Sequence, residues 1–238
     1  MTMRLLFFIS AACIMLGAHV AIAEPVNRFK VAKTSSPRDT LRSFIEAAND
    51  SYDLIMESGY VDRNSPAAHA LRDRILDCID VSELPAFARR DRAVDAATAL
   101  KEILDRVDLP PWDEIPDASE IKAAGGNVEL SRWRIPDTRI TIERAQEGPQ
   151  KHEYLFSTGT VERAVEYYRD IRDRPYRTSG PRTSPGIYDW YLSAPGHPVL
   201  GAIVERLPNS MRFGRTLGLA NWKWPAVLVI LVIGITMM

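Results

Sequence analysis

Cysteine is almost missing from this chain: of 238 residues only Cys13 and Cys78 carry a thiol. Cys13 falls in a stretch expected to be removed, so a disulfide-stapled fold is excluded and an ordinary apolar core must hold the domain. Cys78 then reads as a small buried apolar residue on a helix. An excess of one charge is missing too. Thirty Lys and Arg stand against 31 Asp and Glu, a net charge of −1, and no basic block stands alone, which removes nucleic acid from the expected partners. The charged residues are mixed along the helices as on a solvated surface. The four histidines, His19, His69, His152 and His197, lie far apart with no HExxH or Cys/His spacing, so neither a metal nor a cofactor is expected. A Walker loop and a GxSxG elbow are both absent, Gly125-Gly126 reads as a turn, and the chain reads as a non-enzyme.

What is present in quantity is apolar sequence at the two ends. Residues 1–23 carry Arg4, an apolar run, and the small pair Ala21 and Ala23, the pattern of a cleavable secretory signal. The mature chain then starts at Glu24. At the other end, WKWPAVLVILVIGITMM, Trp222 to Met238, holds no charge after Lys223. Residues 224–238 are expected to form a transmembrane segment, although at 1.5 Å per residue the apolar part reaches roughly 22–25 Å, short of the ~30 Å hydrocarbon core. Trp222 and Trp224 are the expected interfacial anchors, with Arg212, Arg215 and Lys223 placed for anionic headgroups. Residues 207–223 form this basic, aromatic approach to the membrane. The remaining domain, 24–206, is long enough for one core.

Within that domain Ser36-Pro37 starts a helix, with Asp39 near the positive end of its dipole. Leu41, Phe44, Ile45, Ala48, Tyr52 and Ile55 recur at helical spacing until Gly59. A second helix is expected from Ser65-Pro66 with Leu71, Ile75 and Cys78 or Ile79 inward. A third runs from about Ala86 to Val107 and stops before Pro110-Pro111. Short connections suggest an antiparallel cluster. Asp77, Asp80 and Glu83 read as a solvated turn rather than a cation site. Trp112, in the turn-rich PPWDEIPDASE, reads as packing a loop onto the helices.

Val128 to Ile135 and Thr138 to Arg144 alternate as strands, with Ile140 and Ile142 on one face, and Glu153 to Ser157 returns as a third. Thr158 or Thr160 is expected to cap the next helix, whose apolar face holds Val161, Ala164, Val165, Tyr168 and Ile171. The cluster from Ile187 to Leu192 is expected to cap the soluble core, and Val199 to Leu207 to form a short helix broken by Pro208. The fold class is therefore α+β: a mostly helical domain with a small antiparallel hairpin or meander, followed by one C-terminal transmembrane helix.

The run W-x-I-P-x-T-x-I-x-I, here Trp133, Ile135, Pro136, Thr138, Ile140 and Ile142, is followed by Gly148, by Glu153-Tyr-Leu-Phe-Ser157, by Thr160-Val161, by Glu166-Tyr167-Tyr168 and by Pro175-Tyr176. With the opening Ser36 to Asp50, the segment Leu100 to Pro111, the Leu207-Pro208 turn and the Trp-flanked tail, this order resembles the extracytoplasmic N-terminal region of large members of the small-conductance mechanosensitive ion channel family. Those channels continue into a Gly/Ala-rich pore helix and a cytoplasmic β-domain, which this sequence does not contain. The resemblance implies a membrane-anchored sensory or regulatory front end in the inner membrane. Its folded domain would lie in the periplasm, and its partners would be the lipid bilayer and either channel subunits or further copies of itself. The alternative reading is a tail-anchored periplasmic ligand-binding or scaffold module, with Trp112, Trp133 and Trp190 as its contacts.

Overall fold

A computed structural model describes residues 30–60, 62, 64–125, 131–212, 214–217 and 219–236. The expected signal peptide, Gly126 and Val128 lie outside the described residues. Helix α1 (Pro37–Ser58) starts where the sequence places it: the Ser36 hydroxyl accepts from the Asp39 N–H at 3.1 Å, and Pro37 takes the first turn. Gly59 closes it in the left-handed conformation, φ 70°, where a side chain would be strained. Helix α2 (Pro66–Leu76) packs on α1. Cys78 and Ile79, expected on the inner face of that helix, are both buried but lie beyond its end. Helix α3 (Arg89–Leu104) begins three residues later than the periodicity suggests, and packs chiefly on the later helix Thr158–Ile171 rather than on the first two helices.

Helix α4 (Ala118–Ala123) opens on a reciprocal capping box between Asp117 and Glu120. Arg38 fastens this segment to the start of α1, donating to the Ile115 carbonyl at 2.7 Å and to Asp117 at 3.0 Å. Strands β1 (Arg132–Arg134), β2 (Thr141–Arg144) and β3 (Tyr154–Phe156) form an antiparallel meander in the order β1-β2-β3. The register sets Ile142 opposite both Trp133 and Phe156. All three residues of β3 are buried, because Phe156 N–H donates to the Cys78 carbonyl and its own carbonyl accepts from Asp80 N–H, covering the outer edge. Phe44 of α1 meets Phe156 edge to face at 5.1 Å, and these two rings sit fully buried between the helical half and the sheet.

Helix α5 (Thr158–Ile171) is capped by Ser157, not by either threonine expected for the role. The Ser157 hydroxyl accepts from Thr160 N–H and also bonds the hydroxyl of Thr141, while Thr160 accepts from Thr141 N–H, so the three polar side chains satisfy one another in a buried knot. Two short helices follow, α6 (Ile187–Ser193) and α7 (Pro198–Val204), then one turn, α8 (Asn209–Arg212). A two-stranded ribbon, β4 (Arg215–Thr216) and β5 (Leu219–Ala220), leads through a 3-10 turn, Asn221–Lys223, into α9 (Trp224–Thr236). The architecture is α+β with a small three-stranded antiparallel sheet. The transmembrane helix expected over 224–238 is not found: α9 is 13 residues, about 20 Å, and among the described residues no helix is long and apolar enough to cross a membrane.

Candidate functional site

The C-terminal approach does not hang from the domain on a free linker; it is seated on α6. The Trp222 indole N–H donates to the Ser193 carbonyl at the end of α6, 2.8 Å. Arg212 lays its guanidinium 4.6 Å from the ring centre of Trp190 on the same helix. Lys223 sits 5.3 Å above Trp222, and Asn221 donates to the Ser210 carbonyl of α8. Arg215 pairs with Ala220 in the ribbon. Trp224, half-buried, opens α9, and its indole N–H is shielded with no hydrogen-bond partner among the described residues. The five anchor candidates thus lie between α8 and the start of α9. Three of them carry out structural contacts that the sequence does not announce: Arg212, Trp222 and Lys223 stack or bond around α6.

Helix α6 in turn rests on the strongest electrostatic feature of the molecule. Lys101, Glu102 and Asp105 of the α3 end are fully buried, against the expectation of a solvated charged face. Lys101 donates to both Asp105 oxygens, at 2.6 and 2.7 Å. Asp105 also accepts from the Ser184 N–H at 2.8 Å and lies 3.7 Å from Arg177, whose backbone N–H donates to the Asp105 carbonyl. One residue along, Glu102 accepts from Arg106, from the Tyr176 hydroxyl at 3.0 Å and from the Tyr188 N–H of α6 at 3.2 Å. The Tyr176 oxygen then accepts from Gly186 N–H, and the Ser184 hydroxyl donates to Asn49 of α1 at 2.6 Å.

The clamp forms where a loop folds over the end of α3 and buries Ser184 against it. In residues 176–186, rich in Pro, Gly and Ser, the Ser184 N–H has no helix or sheet partner and goes to Asp105, while Glu102 takes the Tyr188 N–H in the first turn of α6. Burial pulls the Lys101 ammonium below its usual range, with the adjacent Asp105 charge opposing the shift. Burial lowers Arg106 too, but the bond and charge of Glu102 outweigh it and the guanidinium ends above its ordinary value. The signal was present in the sequence as the i, i+4 pairs of Lys101-Glu102-x-x-Asp105-Arg106, which also suit a solvated helix. Only the loop that covers them distinguishes the two cases.

The aromatic cluster from Ile187 to Leu192 caps the core: Ile187 is buried, Tyr188 lies 4.8 Å from Tyr168, and Trp190 and Tyr191 pack beside Ile55 and Ala194. Of the three tryptophans open to a ligand-binding reading, Trp112 is stacked by Arg42 at 4.8 Å, Trp133 packs on the core in β1, and Trp190 is stacked by Arg212. None is a bare platform. Asp80 turns back to its own Ser82 N–H, and no group of three His, Cys, Asp or Glu among the described residues is placed to hold a metal. Comparison with family models, with curated proteins and with solved structures returns no match.

Proposed function

We propose that this chain is a membrane-anchored sensory or regulatory module of the kind that precedes the pore in large small-conductance mechanosensitive channels. Its domain would stand on the outer face of the inner membrane. The observation that carries this reading is α9. From Leu228 to Thr236 every residue is exposed, and the helix is apolar around its whole circumference. Leu228 to Ile233 and Ile235 are each about half exposed or more, and among the described residues none of them joins an apolar core cluster. Leaving seven large apolar side chains in water costs roughly 10 kcal/mol relative to an apolar surrounding. A helix without a polar face needs a partner outside the domain. At about 20 Å it reaches past the midplane of a ~30 Å hydrocarbon core, which is sufficient for anchoring without spanning.

The mechanical part of the proposal rests on the seating of the approach. Trp222 on Ser193 and Arg212 on Trp190 tie the foot of α9 to α6, and the Glu102 and Asp105 carboxylates tie α6 and its leading loop to α3. A change in tilt at α9 is then passed to the domain core, or the reverse, through hydrogen bonds rather than through a slack linker.

The test is extraction of membranes from cells producing the full chain. The wild-type protein stays with the bilayer at alkaline pH in carbonate. Ile230→Asp with Ile233→Asp, both at exposed positions and each costing about 3 kcal/mol in hydrocarbon, passes to the soluble fraction while the domain keeps its thermal transition. A wild-type protein that is extracted equally well ends the anchoring reading. For the channel role, removal of the protein shifts the pressure threshold of mechanosensitive currents in excised patches. An unchanged threshold from a membrane-resident protein favours the scaffold reading.

A further inference from the structure

Helix α7 reads PVLGAIV and has no polar side chain. Its inner side is Gly201 and Val204, with Gly201 so close to Tyr60 that an added Cβ would stand 3.2 Å from the tyrosine Cβ. Its outer side presents Val199, Leu200 and Ile203 to solvent, 61%, 44% and 53% exposed. A short helix that is apolar on the outside as well as the inside is not explained by the core. Four residues separate it from α8, which carries exposed Met211 and touches the 3-10 turn that opens α9.

The ribbon adds a second, independent observation. The pairing of Thr216 with Leu219 places Leu217 at the tip of the ribbon. Leu217 adopts φ 53°, the left-handed region, and is 90% exposed. Turns of this kind take Asn, Asp or Gly at that position, because a branched apolar side chain is strained there and gains nothing from water. A strained, solvated leucine at a ribbon tip points to an apolar phase that receives it. The third observation is charge. From residue 206 to 236 the chain carries Arg206, Arg212, Arg215 and Lys223 and no acidic residue at all.

We infer that α7, Met211 and the Leu217 tip form a second footing, which dips into the headgroup layer of an anionic bilayer around the point where α9 enters. The basic residues supply the attraction to lipid phosphates, and the apolar side chains enter only to the acyl boundary. The inference rests on the membrane reading of α9 and extends it. One helix alone leaves the domain free to swing, whereas two footings fix its tilt and make that tilt respond to lipid charge and packing. A bilayer fits better than a protein groove because the basic excess and the apolar side chains run along one continuous segment into α9, itself outside the apolar core clusters of the described residues.

The test uses the full chain with Cys13→Ala, reconstituted into vesicles of phosphatidylcholine alone or with about one third phosphatidylglycerol. An environment-sensitive fluorophore is placed in turn at Leu200→Cys, Leu217→Cys, Ile230→Cys and, on the distant β2–β3 turn, Lys151→Cys; the buried Cys78 stays unlabelled. In anionic vesicles the labels at 200 and 217 shift to the blue and lose access to aqueous iodide several-fold. Both effects weaken in phosphatidylcholine alone and in high salt, while the label at 151 stays wet. Leu217→Asp with Ile203→Asp restores iodide access at 200 and leaves 230 protected. Wet labels at 200 and 217 beside a protected 230 refute the footing and leave the anchor standing. A wet label at 230 refutes the anchor itself. Protection at 200 and 217 that needs no lipid and rises with protein concentration assigns the face to a second copy and overturns the proposal.

Discussion

Removing the carboxylate of Asp105 tests whether the buried clamp under α6 holds the fold as argued. In Asp105→Ala the Lys101 ammonium loses both of its hydrogen bonds, at 2.6 and 2.7 Å, with almost no access to water, and the Ser184 N–H loses its acceptor. Stranding one partner of a buried ion pair costs about 3–5 kcal/mol. For a domain of this size each kcal/mol moves the melting temperature by about 2–4 °C, so the midpoint falls by roughly 6–20 °C. The loss is a large share of the about 5–15 kcal/mol that such a domain has in total. Lys101→Met with Asp105→Leu removes both charges at similar volume and recovers part of the loss, because Lys101 is no longer stranded while the buried Arg177, 3.7 Å from Asp105 in the wild type, still loses its counter-charge. The residual deficit reports the unsatisfied Ser184 N–H, about 1–3 kcal/mol, together with the lost Arg177 pairing. Thermal unfolding of the full chain in detergent, followed by circular dichroism at neutral pH, reads all three proteins. A midpoint for Asp105→Ala within about 2 °C of wild type, or a double variant worse than the single, refutes the view that a stranded Lys101 charge dominates the loss. The same substitution loosens α6, so the Trp190 and Trp222 contacts become accessible to a quencher below the main transition.

Glu46 accepts from Arg74 at 2.8 Å and from Lys30 at 3.2 Å. Partial burial pushes its carboxyl upward, but these two cations outweigh it and hold the group below its ordinary value of about 4.5. The folded state therefore binds this proton less readily than the unfolded chain. Its stabilisation is complete above about 4.5 and is lost as pH falls through the lower folded value. Glu46→Gln should lower the midpoint at pH 7 and converge on wild type as the pH falls below the lowered folded value of the carboxyl; a difference that persists undiminished in acid would refute the linkage. Ser157→Ala removes both the α5 cap and a member of the buried hydroxyl knot with Thr141 and Thr160. It should cost about 1–2 kcal/mol by urea titration, and Thr158→Ala, whose hydroxyl is not in the knot, much less; equal losses would return the cap to the threonine.

Local chemistry in the chain was enough to place much of the fold. The start of α1 at Ser36-Pro37 and its stop at Gly59 are decided within a few residues, because a hydroxyl cap and a left-handed glycine act on neighbouring backbone groups. The meander is likewise legible, since the period-two pattern around Ile140, Ile142 and Phe156 and the turn at Gly148 need no distant partner. The apolar helix of the tail was visible for the same reason, though the length it attains was not. Tertiary structure alone decided which charges go inside. Lys101, Glu102 and Asp105 are indistinguishable by spacing from a solvated helix face, and they are buried because the loop at 176–186 and α6 fold over them, supplying the Ser184 and Tyr188 N–H groups. It also decided that Ser157 rather than a threonine caps α5, since the neighbours that reward the choice come from β2. The outward faces of α7 and Leu217 belong to the same class: a sequence records that a residue is apolar, while whether anything in the chain covers it depends on the packing of segments far apart along the backbone.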